Sequence, residues 1–155
     1  MTRAVVLAVA LWFPIVLLAS GQSSNLEREI SAALQRLLSR HAQTFPFVVV
    51  EHRPTGKYVQ FGLADDVLFI DLPLEALSHD EQKRAVALFS GLHRQTSTFK
   101  APLVGGGAKQ FETLQADFGT DTASAARFAR RVFTEVYLLP PDIKVNLEES
   151  NQNGL

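Results

Sequence analysis

The chain predicts an α+β fold: an antiparallel β-meander sheet of three to five strands packed with three helices. Two observations carry this. Residues 45–73 hold three β-rich runs separated by two tight turns, and turns that short make neighbouring strands antiparallel. On both sides of that stretch, apolar residues recur at helical spacing behind Ser-x-x-Glu sequences, which mark helix N-termini.

The first 21 of the 155 residues stand apart from the fold. Arg3 is followed by an uncharged apolar run, AVVLAVALWFPIVLLA over residues 4–19. Ala19-Ser20-Gly21 then offers small residues at a signal-peptidase site, with cleavage before Gln22. An uncleaved membrane anchor is the rival reading, although a spanning helix needs about 20 apolar residues and this run is shorter and carries Pro14. Either way the sequence predicts an exported domain, periplasmic or extracellular. It touches a membrane only if the first segment is retained.

Ser24 and Glu27 have the spacing of a capping box. Leu26, Ile30, Ala33, Leu34, Leu37 and Leu38 share one face of the helix that follows, predicted over 25–42. Phe45-Pro46 stops it. Phe47 to Val50 reads as a strand. Arg53-Pro54-Thr55-Gly56 is a turn, with Pro fixing φ at its second position and Gly suiting its end. Residues 57–63 alternate, placing Tyr58, Gln60 and Gly62 on one face and Val59, Phe61 and Leu63 on the other. Asp65-Asp66 turns the chain into a third strand, on which Leu68, Ile70 and Leu72 face together.

A second capping box, Ser78 to Glu81, opens a helix running to about Ser90, with Gly91 suited to its C-terminal cap. Residues 93–108 contain Pro102 and Gly105-Gly106-Gly107 and read as a flexible connection. Leu114, Ala116 and Phe118 alternate in a fourth strand over 109–118. Thr120 or Asp121 caps the last helix, predicted over 121–138, whose apolar stripe is Ala125, Phe128, Ala129, Val132, Phe133 and Val136. Pro140-Pro141 ends it. Residues 143–147 alternate as a fifth strand, and the polar stretch 148–155 reads as a disordered tail. The single domain therefore spans 22–147.

Composition narrows the chemistry. There is no cysteine, so disulfides, thiol catalysis and thiolate-bound metal are excluded. With Arg3 set aside, 14 Lys and Arg face 16 Asp and Glu, and no basic patch suits nucleic acid. His41, His52, His79 and His93 have no second ligand at metal spacing, so neither metal nor cofactor is expected. Gly105-Gly106-Gly107-Ala108-Lys109 lacks the Ser or Thr that a phosphate loop needs after its Lys. No Ser sits in a nucleophile-elbow pattern.

Two groups of residues remain as candidate binding positions. Tyr58, Gln60 and Asp71 fall on the strand face opposite the apolar one, and a charge inside an apolar strand must meet solvent, a partner or a site. Arg127, Arg130 and Arg131 lie at i, i+3 and i+4 on the last helix, where they can form a basic stripe for an acidic segment.

Phe47-Val48-Val49-Val50-Glu51 followed by Lys57-Tyr58-Val59-Gln60-Phe61 resembles the opening hairpin of the TY-Chap family, bacterial domains with a type III secretion chaperone-like fold. Ala129 to Tyr137 (ARRVFTEVY), with Pro140-Pro141-Asp142 after it, is similar to that family's closing helix. The resemblance covers most of residues 26–147. It implies a small α+β domain, often dimeric, that binds a protein or peptide and has no catalytic residues. The chain departs from the family in its export segment and in having Gly91-Leu92-His93 where the family tends to have Gly-Trp.

The expected function is thus that of an exported, chaperone-like protein-binding domain, with a protein or peptide partner or a homodimer and no catalytic chemistry. Two other readings stay open: an envelope hydrolase of unspecified substrate acting through Asp71 or a histidine, and a structural protein tethered by residues 4–20.

Overall fold

The computed structural model describes residues 24–40, 46–92, 94–102 and 108–149, excepting the side chains at 94–96, 98–102 and 108–110. The predicted export segment, His41, His93, the Gly105–Gly107 run and the stretch beyond 149 lie outside the described residues.

The elements follow the order α1 (Asn25–Leu38), β1 (Phe47–His52), β2 (Lys57–Ala64), β3 (Val67–Pro73), a 3-10 turn (Leu74–Ala76), α2 (His79–Phe89), β4 (Arg94–Pro102), β5 (Ala108–Gly119), α3 (Thr122–Arg131), a π-helical turn (Val132–Val136) and β6 (Asn146–Glu149). The strands form one sheet in the order β4-β5-β3-β2-β1-β6, antiparallel at every junction. This is the α+β architecture expected, with six strands where three to five were anticipated.

The additional strand corrects the reading of 93–108 as a connection. Arg94–Pro102 has no apolar alternation, but among the described residues it is an edge strand paired with β5 alone. An edge needs less apolar patterning and tolerates a proline at its end. The tail is corrected too: Glu148 and Glu149 pair with Val49 and Val48 as part of β6. Arg36 Nη2 of α1 lies 2.7 Å from the Glu149 carboxylate and Arg40, just past the helix, joins it, so both arginines hold β6 in place.

The helix termini show which local signals survive tertiary packing. Ser78 and Glu81 close the full capping box at α2, with Ser78 N–H donating to Glu81 Oε2 at 2.8 Å. At α1, Ser24 Oγ accepts from Glu27 N–H at 3.2 Å, but the Glu27 side chain does not return the bond. It is buried and instead accepts from Arg130 Nη1 at 3.1 Å. Asp121, not Thr120, caps α3, accepting from Ser124 N–H at 2.9 Å. Gly91 does not take a left-handed φ; the left-handed residue closing a helix is Leu138, at φ 57°.

Leu138 ends the last helical segment in a Schellman-like arrangement. Tyr137 N–H donates to Val132 O at 3.1 Å and Leu139 N–H to Phe133 O at 2.9 Å. Arg84 Nε donates to Val136 O at 2.8 Å, satisfying a carbonyl that the helix end leaves over.

All three helices pack on one face of the sheet. Ile30, Leu34 and Leu37 of α1 meet Val48, Val50, Val59, Phe61, Leu68, Ile70 and Leu72 in a core where each is essentially inaccessible. Burial of each such side chain contributes roughly 1.5–3 kcal/mol. Ala125, Ala126 and Ala129 are fully buried on α3; their small side chains let α1 and α3 approach closely enough for Ser31 Oγ and Thr122 Oγ1 to hydrogen bond at 2.9 Å. Phe128 makes an edge-on contact with Phe89 of α2, with centroids 4.9 Å apart.

A polar junction fastens this layer to the sheet. Lys57 of β2 lies 2.9 Å from the Glu81 carboxylate and 5.4 Å from the centre of the Tyr137 ring. The Tyr137 hydroxyl donates to the Tyr58 carbonyl at 2.5 Å. Burial, then the Glu81 and Tyr58 charges, push the Tyr137 hydroxyl well above its ordinary range. Burial alone would raise the Glu81 carboxyl, but the hydrogen bonds from Lys57 and Ser78 outweigh it and hold the group below the usual value.

Two predictions come from these features. Leu138 is 63% exposed, so Leu138→Gly removes left-handed strain with little loss of packing. The variant is expected to gain about 0.5–1 kcal/mol in chemical denaturation, while Leu138→Ala gains nothing. Because the folded Glu81 pKa is lowered, its contribution is complete above the unfolded value of about 4.3 and disappears as pH falls through the folded value. Glu81→Gln is expected to cost about 1–3 kcal/mol at pH 7, and this gap from the parent chain should narrow towards pH 2 in thermal melts.

Candidate binding face

Strand alternation decides what the uncovered face carries. With Val48, Val50, Val59, Phe61, Leu68 and Ile70 turned towards the helices, their neighbours Phe47, Val49, Glu51, Tyr58, Gln60, Phe69 and Asp71 point the other way. On β5, Leu114 and Ala116 are buried under the helices, which leaves Gln115 and Asp117 on the uncovered side. No helix among the described residues packs there. Phe47, Val49, Tyr58 and Phe69 are each only partly buried.

Register brings these side chains into rows. Val49, Gln60, Asp71 and Gln115 are successive partners across β1, β2, β3 and β5. Phe47, Gly62, Phe69 and Asp117 form the next row. Gln115 Nε2 donates to Asp71 Oδ1 at 3.2 Å, which fixes the carboxylate in the middle of the face. Burial, with Asp71 as a secondary cause, raises the Tyr58 hydroxyl above its ordinary range. A concavity of about 530 Å³ opens over Phe47, Gln60, Gly62, Phe69, Asp71 and Gln115.

Gly62 has a packing role here. A Cβ at this position would lie 2.9 and 3.0 Å from Phe69 Cε1 and Cε2 and closer still to Cζ. The Phe69 ring therefore rests directly on the Gly62 backbone and forms the floor of the concavity, an aromatic covering a strand glycine.

Of the six predicted binding residues, Tyr58, Gln60 and Asp71 do share one face. The three arginines do not present a common free stripe. Arg130 turns inward to the buried Glu27. Arg131 makes a two-pronged pair with Glu135 at 2.7 and 3.0 Å, which raises the Arg131 pKa and lowers that of Glu135. Arg127 is exposed and donates to Ser124 Oγ at 2.8 Å, so of the three it is the one without a carboxylate partner among the described residues.

Phe69, Gly62 and Asp117 were not singled out from sequence. The first was accessible: if Leu68 and Ile70 face inward, Phe69 must face out with Asp71. The Gly62–Phe69 contact depends on the β2–β3 register set by the Asp65–Asp66 turn, and the position of Asp117 on the long-range β3–β5 register, which no local pattern encodes.

The histidines do not join this face. His52 Nδ1 is 2.8 Å from Thr55 Oγ1 in the β1–β2 turn, and His79 is exposed at the start of α2. Among the described residues no group of three or more His, Asp or Glu converges as metal ligands, and no helix is long and apolar enough to cross a membrane.

No protein-family model, curated protein or solved structure matches the chain. The likeness to TY-Chap domains thus rests on the residues that carry it.

Gly62→Ala is expected to push the Phe69 ring off its seat and destabilise the fold by about 1–3 kcal/mol. Phe69→Leu in the same chain should recover part of that loss. A double-mutant cycle in urea checks this through a coupling of about 0.5 kcal/mol or more.

Proposed function

We propose that this protein is a binding module that holds another protein or peptide on the bare face of its sheet. The observation that carries the reading is a six-stranded sheet whose described helices all lie on one side, while its other side exposes aromatic and apolar side chains around a concavity. Partly exposed side chains such as Phe47, Tyr58 and Phe69 bury further apolar surface when a partner covers them, the main source of association free energy. The proposed setting is outside the cytoplasm, on the strength of residues 1–21. The resemblance to chaperone-like domains supports the same reading, and the face itself supplies the geometry. Binding requires no cofactor in this proposal.

Photo-crosslinking tests it. A benzoylphenylalanine replacing Gln60 in the full chain, expressed in its own cells, is expected to trap one dominant adduct. The same group replacing Lys83, on the outer side of α2, should not. An adduct at twice the chain mass would identify the partner as a second copy. Absence of any adduct from position 60, or equal capture from both positions, would overturn the reading.

A further inference from the structure

The charge on the bare face selects its occupant; this inference rests on the proposed binding role of that face. Strand parity and register place Glu51, Asp71, Asp117 and Glu148 on it. The described cation beside them, Arg53, sits at one end, 3.9 Å from Glu51 and 3.4 Å from Glu148. Among the described residues neither Asp71 nor Asp117 has an ion pair, and the one hydrogen bond to Asp71 comes from the neutral Gln115. The two carboxylates are diagonal neighbours: Asp117 pairs with Phe69, and Asp71 pairs with Gln115, two residues before Asp117.

Phe69 completes the arrangement. The far end of its ring sits too close over Gly62 to leave space for a Cβ, and it is flanked by Asp117 as its cross-strand partner and Asp71 two residues along the same face. An aromatic surface bordered by two carboxylates matches a guanidinium, which stacks on the ring while its edge donates to the oxygens. We infer that the bare face receives an arginine side chain of a protein partner, stacked on Phe69 between Asp71 and Asp117. A second copy of this chain meeting face to face would set these carboxylates against each other, so the inference favours a different, basic partner segment.

The test uses the full chain and three fluorescein-labelled twelve-residue peptides, alternating Thr with Arg, Gln or Glu. Fluorescence anisotropy is expected to show the Arg peptide binding at least about tenfold more tightly than the other two. Asp71→Asn and Asp117→Asn should each weaken it about tenfold. Asp80→Asn, on exposed α2 surface beside Lys83, should leave it unchanged. Thermal melts check that each variant is folded. Equal binding of the Arg and Gln peptides, with adducts still formed from position 60, would overturn the arginine inference and leave the binding face standing. An equal effect of Asp80→Asn would reduce it to general electrostatics and overturn it. No binding of the Arg peptide would also overturn it, and if position 60 then traps nothing, the binding face falls as well.

Discussion

The carboxylate of Glu81 is the point on which the layered structure turns. It caps α2 by accepting from Ser78 N–H and neutralises Lys57 at the start of β2. Lys57 in turn lies by Tyr137, whose hydroxyl reaches back to the Tyr58 carbonyl. Three segments distant in sequence are thereby joined by groups that are each costly to leave unpaired once buried. The apolar core supplies most of the stability, yet it is non-directional. The junction gives it direction, because its hydrogen bonds are satisfied only with the helices at one place along the sheet.

That placement explains the two faces. All three helices lie against the side carrying Val48, Val50, Val59, Phe61, Leu68 and Ile70. Within α3 the alanines bring α1 near enough for Glu27 and Arg130 to pair. The ion pair then draws Glu27 away from the capping role its position offered. A local signal gave way to a long-range one, since a half-buried guanidinium needs a counter-charge more than a helix end needs its second capping bond.

The parts of the fold legible from sequence were those with a local cause. A continuous β-branched and aromatic run marked β1, alternation marked β2, β3 and β5, and the Ser78–Glu81 spacing marked α2. β4 was hidden because an edge strand needs no apolar period. β6 was read over 143–147, three residues early at its start and two short at its end, because Glu148 and Glu149 look like a polar tail until Arg36 and Arg40 are placed beside them. Half of the candidate site followed the same division. Tyr58, Gln60 and Asp71 were found by parity. The arginine stripe was built from helical spacing alone and dissolved once Glu27 and Glu135 claimed two of its members. The seat of Phe69 on Gly62 needs the β2–β3 register, which follows from the left-handed Asp65–Asp66 turn and not from either residue.

The two margins of the sheet are unequal. Among the described residues both edge strands have one neighbour, but β6 is four residues long and tied to α1 through Glu149, whereas β4 runs for nine residues. Backbone donors and acceptors along such a border are open to another chain. With one long border per molecule, a second copy pairing there would leave no equivalent border free, so growth by edge-to-edge pairing would stop at two chains. A sheet with two open borders would propagate into fibres. A four-residue strand offers an incoming chain few such backbone groups, so the long border is where edge pairing would be decided.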